Sequence, residues 1–423
     1  MSKFQAPKGM RDILPEDQVY WEKTKQVVKN LAHDYGFGLL ETPILEEVDL
    51  FVKGTGQNTD IVEKEMYNLR TKGGDKLTLR PEFTPAVIRA YLENGLSRLP
   101  HPVKLFNIGP IFRYERKQKG RYRQSYQANF EVIGEKDPIL DAQLIQLFFS
   151  ISRDLGLKNL ITQINSIGCS RCRPSYRRIL VSFYRSRKKH LCQDCQKRIQ
   201  QNPLRLLDCK ELKCIKIAED APQIIDHLCD DCHSHFRSVL EYLDEIEIPY
   251  ILNPHLVRGL DYYTKTVFEI WPDDEEGRQI ALAGGGRYDG LIKLLGGKDM
   301  PGVGFAMGLD RIINLIQERG IKIKDRTKPL VFLVQLGELG KKKSLKLFEE
   351  LRRSGLGVAS SFSRNTMQAQ LKRADKMGAH FALILGQKEA LDDTIIIRDM
   401  NSSSQETVPL SKAIEKIKKR LKK

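Results

Sequence analysis

Phe112-Arg113-Tyr114-Glu115-Arg116-Lys117-Gln118-Lys119-Gly120-Arg121-Tyr122-Arg123-Gln124 sets six cations and one carboxylate between two strand-like segments. Val103-Lys104-Leu105-Phe106-Asn107-Ile108-Gly109-Pro110-Ile111 precedes it, and Gln127-Ala128-Asn129-Phe130-Glu131-Val132-Ile133-Gly134 follows. Both flanks mix apolar and polar residues as half-buried strands do, and Lys119-Gly120 supplies a turn. The reading is a long hairpin with a cationic tip. Guanidinium groups fixed on strands grip phosphate oxygens through two parallel hydrogen bonds, which lysine cannot do. The alternative is a solvated basic hairpin, since charge runs commonly do no more than face water.

Outward from this stretch, the chain of 423 residues is too long for one ordinary domain. A formal net charge of +16 points to a polyanionic partner, with nucleic acid ahead of a membrane surface. A hydrophobic content of 41% and a charged content of 29% fit a soluble globular protein. No apolar run is long enough to span a bilayer. The first ten residues, Met1 to Met10, lack an apolar signal core, so the expected location is cytoplasmic, with no membrane partner.

Helical spacing of Val19, Tyr20, Thr24, Val27, Val28, Leu31 and Tyr35 predicts an amphipathic helix over residues 16–36, stopped by Gly36-Phe37-Gly38. An extended segment with Pro43 follows, and proline in a strand belongs at an edge or an interface. Leu77–Arg80 reads as a short strand, and residues 84–94 as a helix that Thr84 caps and Pro85 opens. Residues 169–250 hold all eight cysteines with helical periodicity, and strands return at Thr266–Trp271 and Gln279–Ala283. That pattern predicts a helical domain inserted into a larger one spanning residues 1–325. Gly302 to Arg311 leads into a helix ending near Gly320. Beyond a charged linker, strands at Leu330–Val334, Gly357–Ser360, Phe381–Leu385 and Thr394–Arg398 alternate with helices at about 341–353, 365–377 and 410–421. Such alternation is a compact α/β domain over residues 328–423. Those residues carry 20 Lys/Arg against 10 Asp/Glu, so +10 of the +16 resides there.

Taken together, these segments resemble the class II aminoacyl-tRNA synthetases. The region around Pro43, the cationic hairpin and Gly302-Val303-Gly304-Phe305-Ala306-Met307-Gly308-Leu309-Asp310-Arg311 are similar to the three loose motifs of that class. Two further segments narrow the resemblance to the histidyl-tRNA synthetase family. They are Leu256-Val257-Arg258-Gly259-Leu260-Asp261-Tyr262-Tyr263-Thr264-Lys265-Thr266 and Ala283-Gly284-Gly285-Gly286-Arg287-Tyr288-Asp289-Gly290-Leu291. The resemblance covers essentially the whole chain. It implies an α+β fold, with an antiparallel sheet flanked by helices and a C-terminal α/β anticodon-binding domain. It also implies a homodimer, and as partners L-histidine, ATP with Mg2+ and histidine tRNA.

The implied reaction is attack of the histidine carboxylate on the α-phosphorus of ATP, then transfer of histidine to the 3′ end of the tRNA. By resemblance, Arg113 and Arg258 would hold the α-phosphate from opposite sides, Arg121 and Arg311 the γ-phosphate end, and Glu115 the adenine amino group. Glu131, Tyr262 and Tyr263 fit the family's imidazole pocket, and Glu82, Thr84 and Gln127 its α-amino subsite. Buried acceptors of this kind reject a ligand that leaves them unpaired. Ser125 replaces an aromatic that the family commonly stacks on adenine, so either Tyr126 takes that role or other groups hold the base. Arg116 and Gln118 at the hairpin tip would read the extra 5′ nucleotide of histidine tRNA. The glycines at 284–286 would permit close backbone approach to a ligand, or form a tight turn.

The cysteines pair as Cys169/Cys172, Cys192/Cys195, Cys209/Cys214 and Cys229/Cys232. In a cytoplasmic protein such spacing suggests zinc more than disulfides, with up to two sites from two pairs each. Structural zinc on Cys192, Cys195, Cys229 and Cys232 is one reading, and reduced thiols packed inside the insertion is the other. A rival to the ligase as a whole is a synthetase-like regulatory subunit of histidine biosynthesis. Such paralogues lack the C-terminal domain and the ATP-facing arginines, whereas this chain keeps Arg113, Arg121, Arg258 and Arg311.

Overall fold

The computed structural model describes residues 4–115, 120–273, 281–323, 329–362 and 366–421. They form two compact units, Met1–Lys322 and Ile323–Lys423. In chain order the first unit runs α1 (Pro15–Asp34), β1 (Gly38–Leu39), β2 (Leu45–Glu47), α2 (Val48–Thr55), β3 (Tyr67–Arg70), β4 (Lys76–Leu79), α3 (Thr84–Glu93), β5 (Val103–Phe112) and β6 (Gln124–Ile133). It continues through α4 (Ile139–Asp154), β7 (Leu160–Ser166), four helices of the insertion, β8 (Tyr250–Leu252), β9 (Thr264–Pro272), β10 (Ala283–Arg287) and β11 (Gly302–Gly308). The insertion helices are α5 (Arg173–Ser186), α6 (Gln193–Gln201), α7 (Leu212–Glu219) and α8 (Asp230–Glu245). Two more, α9 (Leu291–Leu294) and α10 (Leu309–Glu318), flank β11.

Eight strands make one sheet in the order β1-β5-β6-β11-β10-β9-β7-β8. Its centre is antiparallel, as expected, and a short parallel strand closes each edge, β1 on β5 and β8 on β7. The β5–β6 hairpin is its spine, paired without a slip from Val103↔Ile133 to Phe112↔Gln124. Side chains alternate across a strand, so the hairpin has two unlike faces. One carries Phe106 and Phe130, stacked at 5.9 Å, with Phe130 on Phe305 of β11 at 4.8 Å. Phe148 of α4 meets Phe305 edge-on from the helical layer. The other face carries Asn107, Gln127, Asn129 and Glu131 and is the floor of the candidate site.

Local chemistry sets the element ends. Pro15 opens α1, whose buried stripe is Trp21, Thr24, Val27, Val28 and Ala32. Pro43 falls in the break between β1 and β2, where no ladder hydrogen bond is needed. Two sequence expectations change. Thr84 is the first helical residue of α3 rather than its cap; Phe83 holds the cap position, and the Thr84 hydroxyl donates to Glu131 at 2.6 Å. The strand expected at 279–283 runs instead from Ala283 to Arg287, with residues 279–280 outside the described set. Its three glycines form neither loop nor turn but a central strand. Packing demands them, since a Cβ on Gly285 would overlap the Gly304 carbonyl and one on Gly286 the Thr266 carbonyl.

The second unit runs β12 (Val331–Gln335), α11 (Gly337–Arg353), β13 (Val358–Ser360), α12 (Met367–Lys376), β14 (Phe381–Leu385), α13 (Gln387–Leu391), β15 (Thr394–Asp399), β16 (Gln405–Pro409) and α14 (Ala413–Leu421). Its sheet order is β13-β12-β14-β15-β16, parallel around β12 and antiparallel beyond β14. Val331, Leu333, Leu383 and Ile397 pack one face with Leu347 and Ile417, while Phe332, Val334 and Ile384 pack the other with Ala374.

Candidate active site

Two fully enclosed carboxyl groups organise the pocket. Glu131 of β6 accepts from Thr84 Oγ1 at 2.6 Å, Asn129 Nδ2 at 3.0 Å and the Tyr288 hydroxyl at 2.5 Å. Burial raises its pKa to about 7 against those three hydrogen bonds, and Glu82 adds to the rise. Glu82, just before α3, accepts from Thr55 at 2.5 Å and the Tyr262 hydroxyl at 2.7 Å. Burial lifts Glu82 too, while Thr55, Tyr262, Arg113 and Arg258 pull it down. The two groups predicted by resemblance therefore cross. Thr84, expected at the α-amino end, bonds to Glu131, and Tyr262, expected at the ring end, bonds to Glu82. The two hydrogen-bonded groups meet through ring packing, with Tyr262 edge-on to Tyr288 at 6.0 Å.

Glycines make room for it. A Cβ on Gly304 would overlap Glu131 Oε2, and one on Gly302 would overlap the Tyr288 ring. A Cβ on Gly284 would stand 2.6 Å from Arg258 Nη2. Arg258 lies over the Tyr263 ring at 5.5 Å and pairs with Glu269 of β9. Its buried Nε has no hydrogen-bond partner among the described residues, and neither has that of Arg121. Buried donors without partners suit an anionic ligand. Arg113 Nε donates to the Pro81 carbonyl at 2.8 Å, Arg311 Nη1 to the Ala281 carbonyl at 2.7 Å, and Arg121 pairs with Glu115 at 3.3 Å. Burial brings Arg311 down to about 10; Glu115 and Glu269 oppose the shift, and Arg121 and Arg113 reinforce it. The arginines and Glu115 thus form one electrostatic cluster.

The family model for histidyl-tRNA synthetase matches residues 9–312, and that for an anticodon-binding domain matches residues 330–420. This chain belongs to the histidyl-tRNA synthetase family. A histidine–tRNA ligase of Dehalococcoides mccartyi is 45% identical over 99% of this chain and 100% of its own length. One of Desulforamulus reducens is 43% identical over 98% and 99%. The crystal structure of apo S. aureus histidyl-tRNA synthetase superposes with a TM-score of 0.83 at 34% identity, covering 98% of this chain and all of that one.

Within this synthetase frame, Glu82, Thr84, Glu131, Tyr262, Tyr263 and Arg258 lie close together, with Tyr262 against Tyr263 at 4.7 Å and Arg258 over the Tyr263 ring, and Gln127 lies on the same strand face as Glu131. Tyr126 does not join them. It sits on the opposite face of β6, its ring edge-on to buried Trp21 at 5.1 Å, so alternation along the strand turns it away from the face that carries Glu131. Ser125 occupies the pocket face instead. Arg116 and Gln118 lie outside the described residues. The favoured zinc set is also overturned. Cys192 and Cys195 gather with Cys209 and Cys214, whereas Cys229 and Cys232 gather with Cys169 and Cys172. Thr55, Asn129, Tyr288 and Glu269 were missed. Tyr288 lies inside the glycine-rich signature, but nothing in the sequence around Thr55 signals its bond to Glu82. A cavity of about 1240 Å³ beside Tyr263 and Arg258 is also lined by Arg173, Arg177, Arg178 and Arg185 of α5, a second arginine row that periodicity did not single out.

Proposed function

We infer that this chain is a histidine–tRNA ligase that forms histidyl-adenylate from L-histidine and ATP and passes histidine to the 3′ end of histidine tRNA. The observation that carries the site assignment is the burial of Glu82 and Glu131 close to one another, with Arg113 and Arg258 acting on Glu82. In the first step a histidine carboxylate oxygen bonds to the α-phosphorus, the bond to the β-phosphate oxygen breaks, and pyrophosphate leaves. In the second a terminal ribose hydroxyl attacks the carbonyl and AMP leaves. ATP enters as its Mg2+ complex, so that metal is part of the substrate. Arg113 and Arg258 take the α-phosphate, where negative charge grows in the transition state. Arg121 and Arg311 hold the pyrophosphate end, and Glu115 faces the adenine amino group. Glu131, with Tyr262 and Tyr263, receives the imidazole. Glu82, Thr84 and Gln127 receive the α-amino group.

The α5 arginines lining the cavity beside Tyr263 suit the phosphates of the tRNA acceptor end, and the basic unit from Ile323 suits the anticodon arm. A homodimer is supported by Leu39, Ile44 and Leu45, apolar and exposed along the segment around Pro43, on and beside short edge strands. Among the described residues no helix is long and apolar enough to cross a membrane. A tRNA substrate supports a cytoplasmic location. The test is amino-acid-dependent ATP–pyrophosphate exchange with each amino acid in turn. Exchange with histidine alone, abolished in Arg258→Ala, is the expected result. No exchange from folded protein would favour the regulatory paralogue.

A further inference from the structure

The eight cysteines fall into two tetrads, Cys169/Cys172/Cys229/Cys232 and Cys192/Cys195/Cys209/Cys214, each with its four sulfurs within 4.8 Å of one another. We propose that each tetrad is a structural zinc(II) site, so that the chain binds two zinc ions. The spacing excludes a disulfide and a multi-iron cluster. Cys169 Sγ lies 3.7 Å from Cys172 Sγ and 3.9 Å from Cys229 Sγ, and Cys192 Sγ lies 3.9 Å from Cys209 Sγ. A disulfide needs about 2.05 Å. Four thiolates held about 2.3 Å from one zinc ion stand about 3.8 Å apart along the edges of a tetrahedron. An iron–sulfur cluster, with several irons and sulfides between its cysteines, spreads them more widely.

Backbone donors complete the sites. Arg171 N–H donates to Cys169 Sγ at 3.4 Å and Cys229 N–H to Cys172 Sγ at 3.1 Å. Cys195 N–H donates to Cys192 Sγ at 3.4 Å and Cys192 N–H to Cys214 Sγ at 3.3 Å. Such bonds stabilise thiolate charge around a metal and orient the ligands. Four sulfurs close each tetrahedron and leave no position for substrate, so the role is structural.

Their places in the fold say what they hold. The first tetrad joins the starts of α5 and α8 at the neck of the insertion. There Ile167 N–H donates to the Lys265 carbonyl at 2.8 Å, Lys265 N–H to the Gly168 carbonyl at 2.9 Å, and Arg173 to the Tyr263 carbonyl. It therefore ties the segment from Ile167 to Arg173, which carries the backbone at Tyr263 and Lys265, to the start of α8. The second tetrad ties down residues 192–214. From this segment Arg198 and Arg205 reach Asp60 at 3.1 and 3.4 Å, and Asn202 reaches Asp261 at 2.7 Å.

The test is metal analysis of the full chain, purified under reducing conditions without chelator, which reads zinc content without any substrate and so stands or falls apart from the ligase reading. Two zinc ions per chain are expected. The pair Cys169→Ser with Cys229→Ser should retain one, and so should Cys192→Ser with Cys209→Ser. Should either variant fail to fold, wild-type protein stripped of metal under denaturing conditions and refolded with cobalt(II) supplies the second reading. Two equivalents should bind with the absorption of tetrahedral tetrathiolate cobalt. One zinc or none per chain, iron in its place, or loss of both ions from a single-tetrad variant that remains folded would overturn the proposal.

Discussion

Glu131 shows how one buried atom pair can tune a site. Its native carboxyl keeps its proton up to a pH of about 7, while an unfolded glutamate releases it near 4.5. Folding therefore takes up a proton between those values, and stability falls as pH rises across that window, by about 3 kcal/mol in all. Glu131→Gln, which cannot ionise, should gain on wild type as pH rises from 5 to 8 in paired thermal melts. A difference that stays flat with pH would refute the assignment. The same variant should lose about ten- to hundred-fold in histidine-dependent exchange, the value of a hydrogen bond to a charged group. Gly304→Ala tests the pocket from the other side. Its methyl would occupy the place of Glu131 Oε2 and press on the Phe130 carbonyl at 2.6 Å, so the Michaelis constant for histidine should rise and the melting temperature should fall. An unaltered constant would show that Glu131 does not meet the ligand.

At the scale of elements, the glycine-rich signature proves to be a structural joint as well as a wall of the pocket. Arg287, at the end of β10, is fully buried and pairs with Asp141 of α4 at 2.7 Å, which also faces His235 of α8 at 3.5 Å. Burial alone would raise the Asp141 pKa, but Arg287 and His235 outweigh it and hold the carboxyl below its usual range. The stability it confers is thus present above pH 3.8, the unfolded value, and lost as pH falls through the native one. Asp141→Asn leaves buried Arg287 with only Asp289, 3.8 Å away, as counter-charge and should destabilise by about 3 kcal/mol at pH 7, read from urea unfolding. The penalty should shrink in acid. Equal loss at pH 7 and pH 3 would mean that shape rather than charge is at stake. Sequence periodicity could not reveal this joint, because its three residues come from elements far apart in the chain. What was legible were the long amphipathic runs and the hairpin, whose patterns are set by their own faces. The strand Ala283–Arg287 was misplaced because three glycines have no strand preference and are there only to let neighbours approach. The cysteine pairs were each legible, but which pairs meet depends on how the insertion folds back, and spacing does not encode that.

For the whole molecule, charge is divided as unevenly as chemistry. The unit from Ile323 has its own two-sided core, and residues 328–423 hold +10 of the +16, whereas the residues proposed for adenylation all lie before Lys322. Recognition of tRNA phosphates releases counterions, so affinity falls with salt with a slope of about −0.7 to −0.9 per phosphate contacted. Binding of a histidine molecule, held by a few buried groups, has no comparable release. Between 50 and 200 mM salt, tRNA affinity should therefore fall by about a thousandfold if some six phosphates are contacted, with far less change in the Michaelis constant for histidine. Ending the chain after Lys322 should preserve histidine-dependent exchange, lower tRNA charging by at least about a hundredfold and flatten the salt slope, since most of the net positive charge goes with the removed unit. Filter binding at several salt concentrations, run beside exchange on both proteins, reads all three. If the shortened chain kept both its charging rate and its salt slope, the basic C-terminal unit would have no part in holding the tRNA, and the phosphate contacts would have to be sought on the arginine row of α5.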